Sequence, residues 1–109
     1  MNIKIIDKKI SKRTPLFYMA NLYPEIGRMF SCFDENKIEA ANSAKIRALG
    51  IVDHILFSED IKPTGREEWT VIKNLIIDYD KLDPYERTVL EKYAEPFAYK
   101  FMNSYSRIL

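Results

Sequence analysis

The sequence predicts an all-α protein, an antiparallel four-helix bundle preceded by a short basic N-terminal arm. Three observations lead there. Apolar residues recur at spacings of three and four along four separate stretches. Each stretch opens on a residue pattern that starts helices. Only three glycines and five prolines occur among 109 residues, too few for the turns of an all-β sandwich.

Residues 1–13 form the arm and residues 14–109 a single domain, since the chain is too short for two ordinary cores. The arm carries Lys4, Lys8, Lys9, Lys12 and Arg13 against Asp7, a local charge of +4 in a chain whose net charge is +1. "MNIKII" has β character, but one strand without a partner is better read as extended chain.

The first helix opens at "TPLF", with Thr14 as N-cap and Pro15 in the first turn, where its missing N–H costs nothing. Leu22, Ile26, Met29 and Phe33 give its apolar phase, which runs through Pro24 and so predicts a kinked helix. The second opens at "NKIE", where Asn36 and Glu39 have the spacing of a capping box. Ala41, Ala44, Ala48, Ile51 and Ile55 form its seam, widened by Ile38, Leu49, Val52 and Leu56, to an end near Ser58. Three alanines on one seam let a partner helix approach closely.

"TGRE" places Thr64 as the third N-cap with Glu67 completing the box; Trp69, Ile72, Ile76 and Tyr79 form the stripe, thickened by Val71 and Leu75. "DPYE" starts the fourth helix, with Asp83 capping and Glu86 returning the bond. Leu90, Tyr93, Phe97 and Phe101 continue it, with Pro96 as a second kink. Connections of a few residues favour antiparallel neighbours.

The segment "FYMANLYPEIGRMFSCFDENKIEAANSAKIRALGIVDHIL" resembles a group of short helical bacterial proteins. These carry an Ala-Asn-φ-x-x-Glu-φ-x-Arg segment and then an Arg-Ala-φ-x-φ-φ-Asp helix. The matching residues are Ala20, Asn21, Glu25, Arg28, Arg47, Ala48 and Asp53, with Gly65 to Trp69 matching a later Gly-Arg-x-Glu segment. The resemblance covers residues 17–80 and implies a helical fold without an activity to transfer.

Several function classes are excluded by residue content. A single cysteine, Cys32, rules out an intrachain disulfide and any multi-cysteine metal site; placed between Phe30 and Phe33, it is expected to be a buried thiol. Low cysteine content points to a reducing cytoplasm. No apolar run approaches the roughly 20 residues of a membrane span, and the N-terminus lacks the core of a signal peptide. There is no phosphate-cradling glycine loop, dinucleotide fingerprint, metal-ligand set or nucleophile–base pair, so no cofactor is expected. The Asp78–Asp83 cluster lacks the glycine and ligand order of a calcium loop.

Three readings of function stay open. The first is a non-enzymatic interaction module that self-associates or docks on a protein partner. Its contact residues would be Ile46, Gly50 and Phe57 on the outer half of the second helix, with Arg47 beside them and Tyr99 on the aromatic last helix. The second is a nucleic-acid accessory protein, with Lys4, Lys8, Lys9, Lys12 and Arg13 on phosphates, assisted by Arg28 or Arg47. The third rests on Arg47 and His54, seven apart, hence within about 20° and roughly 10 Å on a straight helix. That spacing looks like the Arg-x(4–6)-His motif of the HEPN ribonucleases, in which histidine moves protons and arginine stabilises anionic charge. Here the pair lies on the second helix instead of late in the domain, and Ala48 follows the arginine where a polar residue is usual. Asn21, Glu25 and Arg28, at intervals of four and three, form a candidate polar ladder.

Overall fold

The computed structural model describes the backbone of residues 15–108 and the side chains of residues 17–99. The described residues contain four α-helices and one short 3-10 turn joined by short connections, with no strand among them. They are α1 (Pro15–Asp34), α2 (Ile38–Leu56), α3 (Pro63–Ile77), the 3-10 turn Tyr79–Lys81 and α4 (Pro84–Ile108). Thr14, the basic arm and the side chains of Phe101 and Tyr105 fall outside the described residues.

α1 and α2 form the most extensive helix pair; α4 packs on α1, and α3 on α2. Tyr18 meets His54 while Glu25 meets Arg47, so ascending positions of α1 match descending positions of α2. On the other side Tyr23 meets Glu95 and Asp34 meets Arg87, again in opposite order. The core consists of Leu22, Ile26, Met29 and Phe30 from α1, the small residues Ala41, Ala44 and Ala48 with Val52 and Ile55 from α2, Trp69, Ile72 and Ile76 from α3, and Leu90 and Ala94 from α4. Trp69, Tyr93 and Phe97 close the α3–α4 side as a ring cluster with centroids 5.2–5.8 Å apart.

α1 and α4 each continue through their internal prolines, Pro24 and Pro96. The capping box of α4 is present as expected: Glu86 N–H donates to Asp83 Oδ1 at 2.7 Å, and Asp83 N–H to Glu86 Oε1 at 3.0 Å.

Two other expected caps are corrected. Asn36 does not cap α2, which follows Lys37 without a side-chain cap bond. It has φ +62° and closes α1 instead: its N–H donates to Phe33 O at 3.0 Å, and Lys37 N–H donates to Cys32 O at 2.8 Å. This is a Schellman closure, in which Asn tolerates the left-handed backbone better than most residues. Thr64 lies inside α3, because Pro63 already starts the helix after Lys62; proline's fixed φ sets the first helical position one residue earlier than the capping pattern suggested.

Burial also departs from expectation at single positions. Val52 is buried where Ile51 is only partly so, since the buried stripe drifts with the 3.6-residue turn. α2 ends at Leu56, two residues before Ser58. Ile38 and Val71 are exposed, and Cys32 is only partly buried at the edge of the core. No described helix is long and apolar enough to cross a membrane.

Candidate interaction surface

α2 presents two chemically different strips to solvent, and both follow from helical phase. Ile46, Gly50, Asp53 and Phe57 recur at intervals of four, three and four, so all four fall within about 60° of one another and span roughly 16 Å of axis. Ile46 is 69% exposed and Phe57 is 85% exposed. Gly50 lies between them, and a Cβ built there would meet no atom within 4 Å. The notch is therefore open to solvent and is not a packing glycine. Asp53, on the same strip, accepts a 2.8 Å bond from Lys73 Nζ of α3, which places one ion pair beside two bare apolar side chains.

The second strip is the seam with α1. Glu25, only 9% exposed, holds Arg47 Nε at 2.7 Å and Arg28 Nη1 at 2.9 Å. Burial raises the Glu25 carboxyl, but hydrogen bonds and charge from Arg47 and then Arg28 outweigh it and hold the group below its ordinary value. Each guanidinium has five N–H groups and gives one to this carboxylate, so both arginines, themselves half-exposed or more, keep donors for other acceptors. Asn21 does not join the ladder; its Nδ2 donates to Phe17 O at 2.7 Å.

Arg47 and His54 thus lie on one line of α2 but are held by different residues of α1. His54 is exposed and its ring stacks on Tyr18, centroids 4.7 Å apart and planes 9° from parallel. Among the described residues it makes no hydrogen bond, and Asp53 is engaged by Lys73 instead. Tyr99, 61% exposed on α4, lies near Tyr23 of α1, whose hydroxyl donates to Glu95 at 2.9 Å. It is not brought to the α2 strip by any described hydrogen bond or ring contact. Lys4, Lys8, Lys9, Lys12 and Arg13 lie outside the described residues. No group of three metal-ligating side chains occurs among the described residues.

Sequence reasoning missed the cross-helix partners. Neither Glu25–Arg47 nor the 2.8 Å bond from Tyr79 to Asn42 has a local signature, because the partners are 22 and 37 residues apart. The one available signal was a glutamate at a position in phase with Leu22, Ile26 and Met29, a carboxylate on an apolar face that requires partners from elsewhere. No protein-family model, curated protein or solved structure matches this chain.

Proposed function

We propose that this protein is a cytoplasmic, non-enzymatic helical interaction module, built as an antiparallel four-helix bundle, that self-associates or docks on a protein partner through the outer strip of α2. The carrying observation is the pair of bare side chains, Ile46 and Phe57, on one line of α2 flanking the open notch at Gly50. A phenyl ring 85% exposed at a helix end adds nothing to the chain's own core, whereas desolvating it against a partner is favourable. Self-association suits the strip in particular. In an antiparallel pairing of two copies of α2, Ile46 meets Phe57 twice and Gly50 meets Asp53 twice. Four positions per copy fall short of the roughly 800 Å² per partner of a standard interface. The association is accordingly weak and concentration-dependent.

The test is solution mass by light scattering over a range of protein concentration. The full chain is expected to gain mass as concentration rises, Phe57→Glu to stay monomeric, and His54→Ala to behave as the full chain does. If Phe57→Glu leaves both the mass and the capture of a partner unchanged, the strip is not the interface.

A second reading is favoured by the spare donors of Arg28 and Arg47, which suit phosphate oxygens. It requires binding to single-stranded RNA that weakens steeply with salt. Cleavage of that RNA, abolished by His54→Ala, would bring forward the nuclease reading instead.

A further inference from the structure

Glu25 holds two arginines where one would balance its charge. Arg47 gives it Nε–H at 2.7 Å and Arg28 an Nη1–H at 2.9 Å, which leaves one positive charge over. Neither arginine uses the two-pronged fork by which a guanidinium grips a carboxylate. Nη1 and Nη2 of Arg47, and Nε and Nη2 of Arg28, donate to no described residue. Both side chains are more than half exposed, whereas Glu25 is buried. One fixed carboxylate therefore sets two water-facing guanidiniums side by side. The two nitrogens bound to it lie no more than about 8 Å apart, two hydrogen-bond lengths and the width of a carboxylate. A phosphate group bonded on both sides spans a gap of that size.

The same seam carries an aromatic face. His54 lies two turns along α2 from Arg47, about 10 Å by helical rise. Its ring is exposed and stacks on Tyr18 by one face, centroids 4.7 Å apart, and no other described ring or hydrogen bond engages it. Gly50 falls between the two, where a Cβ would meet nothing within 4 Å, so no side chain fills the span. Across the seam the exposed Asn21 commits its Nδ2 to Phe17 O and keeps Oδ1 as an acceptor. Asp53, next to His54 in sequence, is drawn to Lys73 at 2.8 Å.

We infer that this seam of α1 and α2 binds a nucleoside diphosphate. The terminal phosphate lies on Arg28 and Arg47, the sugar passes over Gly50 beside Asn21, and the base stacks on the outer face of His54. The inference rests on the reading that the spare arginine donors take phosphate, and it names the ligand. A terminal phosphate fits two guanidiniums better than the diester of a strand interior does. It carries about −1.5 to −2 charge near neutrality and three acceptor oxygens, where a diester has a single charge and two free oxygens. Stacking on an aromatic face tolerates any base. Because Glu25 pins the arginines, a monophosphate held on them leaves its base short of His54, while a diphosphate reaches.

The experiment is a titration of the full chain with ADP, followed by nitrogen-15 NMR of backbone amides and arginine Nε–H groups. Millimolar ADP is expected to shift the Arg28 and Arg47 side-chain signals and the Gly50 amide, and to leave the Glu91 amide on α4 in place. AMP should bind several-fold more weakly, and adenosine should not move the arginine signals. Arg28→Gln leaves Glu25 its bond to Arg47 and should weaken ADP about tenfold, the loss of one charge-assisted bond. His54→Ala touches no part of the clamp, so it keeps the test open if Arg28→Gln unfolds. It should weaken ADP several-fold and leave inorganic pyrophosphate unaffected.

Arginine signals unmoved by ADP overturn the inference. So does AMP binding as tightly as ADP, or an ADP affinity unchanged in either variant. A His54→Ala variant that loses pyrophosphate as much as ADP does so too. RNA without terminal phosphates that binds with a steep salt dependence while ADP fails overturns the inference but leaves the RNA reading standing. ADP bound without RNA does the reverse. Phe57→Glu should leave ADP binding unchanged, which separates this site from the α2 strip.

Discussion

Glu25 shows how a buried charge can be held in a chain this small. An unpaired carboxylate on the inner face of α1 would be costly, and one arginine would leave an oxygen unsatisfied. Arg28, one turn on, and Arg47, from α2, each take one oxygen. The sign of the resulting pH dependence follows. The folded carboxyl lies below its ordinary value of 4.5, so the clamp's contribution is present above that value and is lost as pH falls through the folded one. Glu25→Gln is expected to cost about 1.5–3 kcal/mol near neutrality, the range for hydrogen bonds to charged groups. In acid, where the native glutamate is also neutral, the two proteins should converge. Urea unfolding at several pH values measures this; a gap that stays constant into acid would show that the carboxylate charge contributes nothing.

At the scale of the element, the helix boundaries separate what local sequence dictates from what the backbone overrides. Asp83 and Glu86 cap α4 reciprocally, and this was legible because both halves of the device lie within four residues. Asn36 had the same spacing to Glu39, yet the stop of α1 took precedence over the start of α2. Two roles compete for an asparagine between helices, and only one can have φ +62°. The roles are separable by substitution. Serine is as good an N-cap as asparagine but a poor left-handed residue. Asn36→Ser is therefore expected to lose about 1 kcal/mol, whereas Asn36→Gly, which relieves the positive φ, should match or exceed the native stability. Thermal unfolding of the two variants decides it: an N-cap role would rank serine above glycine. The same logic explains the rest of the site. Ile46, Gly50 and Phe57 could be placed on one line from helical phase alone, while the α1 partners of Arg47 and His54 required the packing of two helices.

At the scale of the whole molecule, the two halves of the fold are joined unequally. α1 and α2 meet along a seam in which Ala41, Ala44 and Ala48 have no exposed surface, so that pair is close and continuous. α3 and α4 touch far less, and their contact is concentrated in Trp69, Tyr93 and Phe97. Trp69 is 2% exposed and touches both rings of α4, so the closure of this side depends on one indole. Tyr93 reports on that closure through its own ionisation. Burial, then the charge of Glu68 and a hydrogen bond to it, pushes the phenol up to about 12. Because the folded value is raised, the corresponding stability is intact below the ordinary value of 10.0 and is lost as pH rises from there towards 12. Trp69→Leu keeps an apolar side chain in the core but removes the ring that Tyr93 packs against, and is expected to cost about 1–3 kcal/mol. It should also bring Tyr93 back towards 10.0, because burial is the larger of its causes. Glu68→Gln should lower the same value by less and leave stability near neutrality almost unchanged, since an exposed partner contributes little. Carbon-13 NMR titration of the labelled tyrosine rings reads both. If Trp69→Leu left the Tyr93 titration where it was, the ring cluster would not be what closes α3 against α4, and that side of the molecule would have to be held through the backbone turn at Tyr79–Lys81 and its buried tyrosine instead.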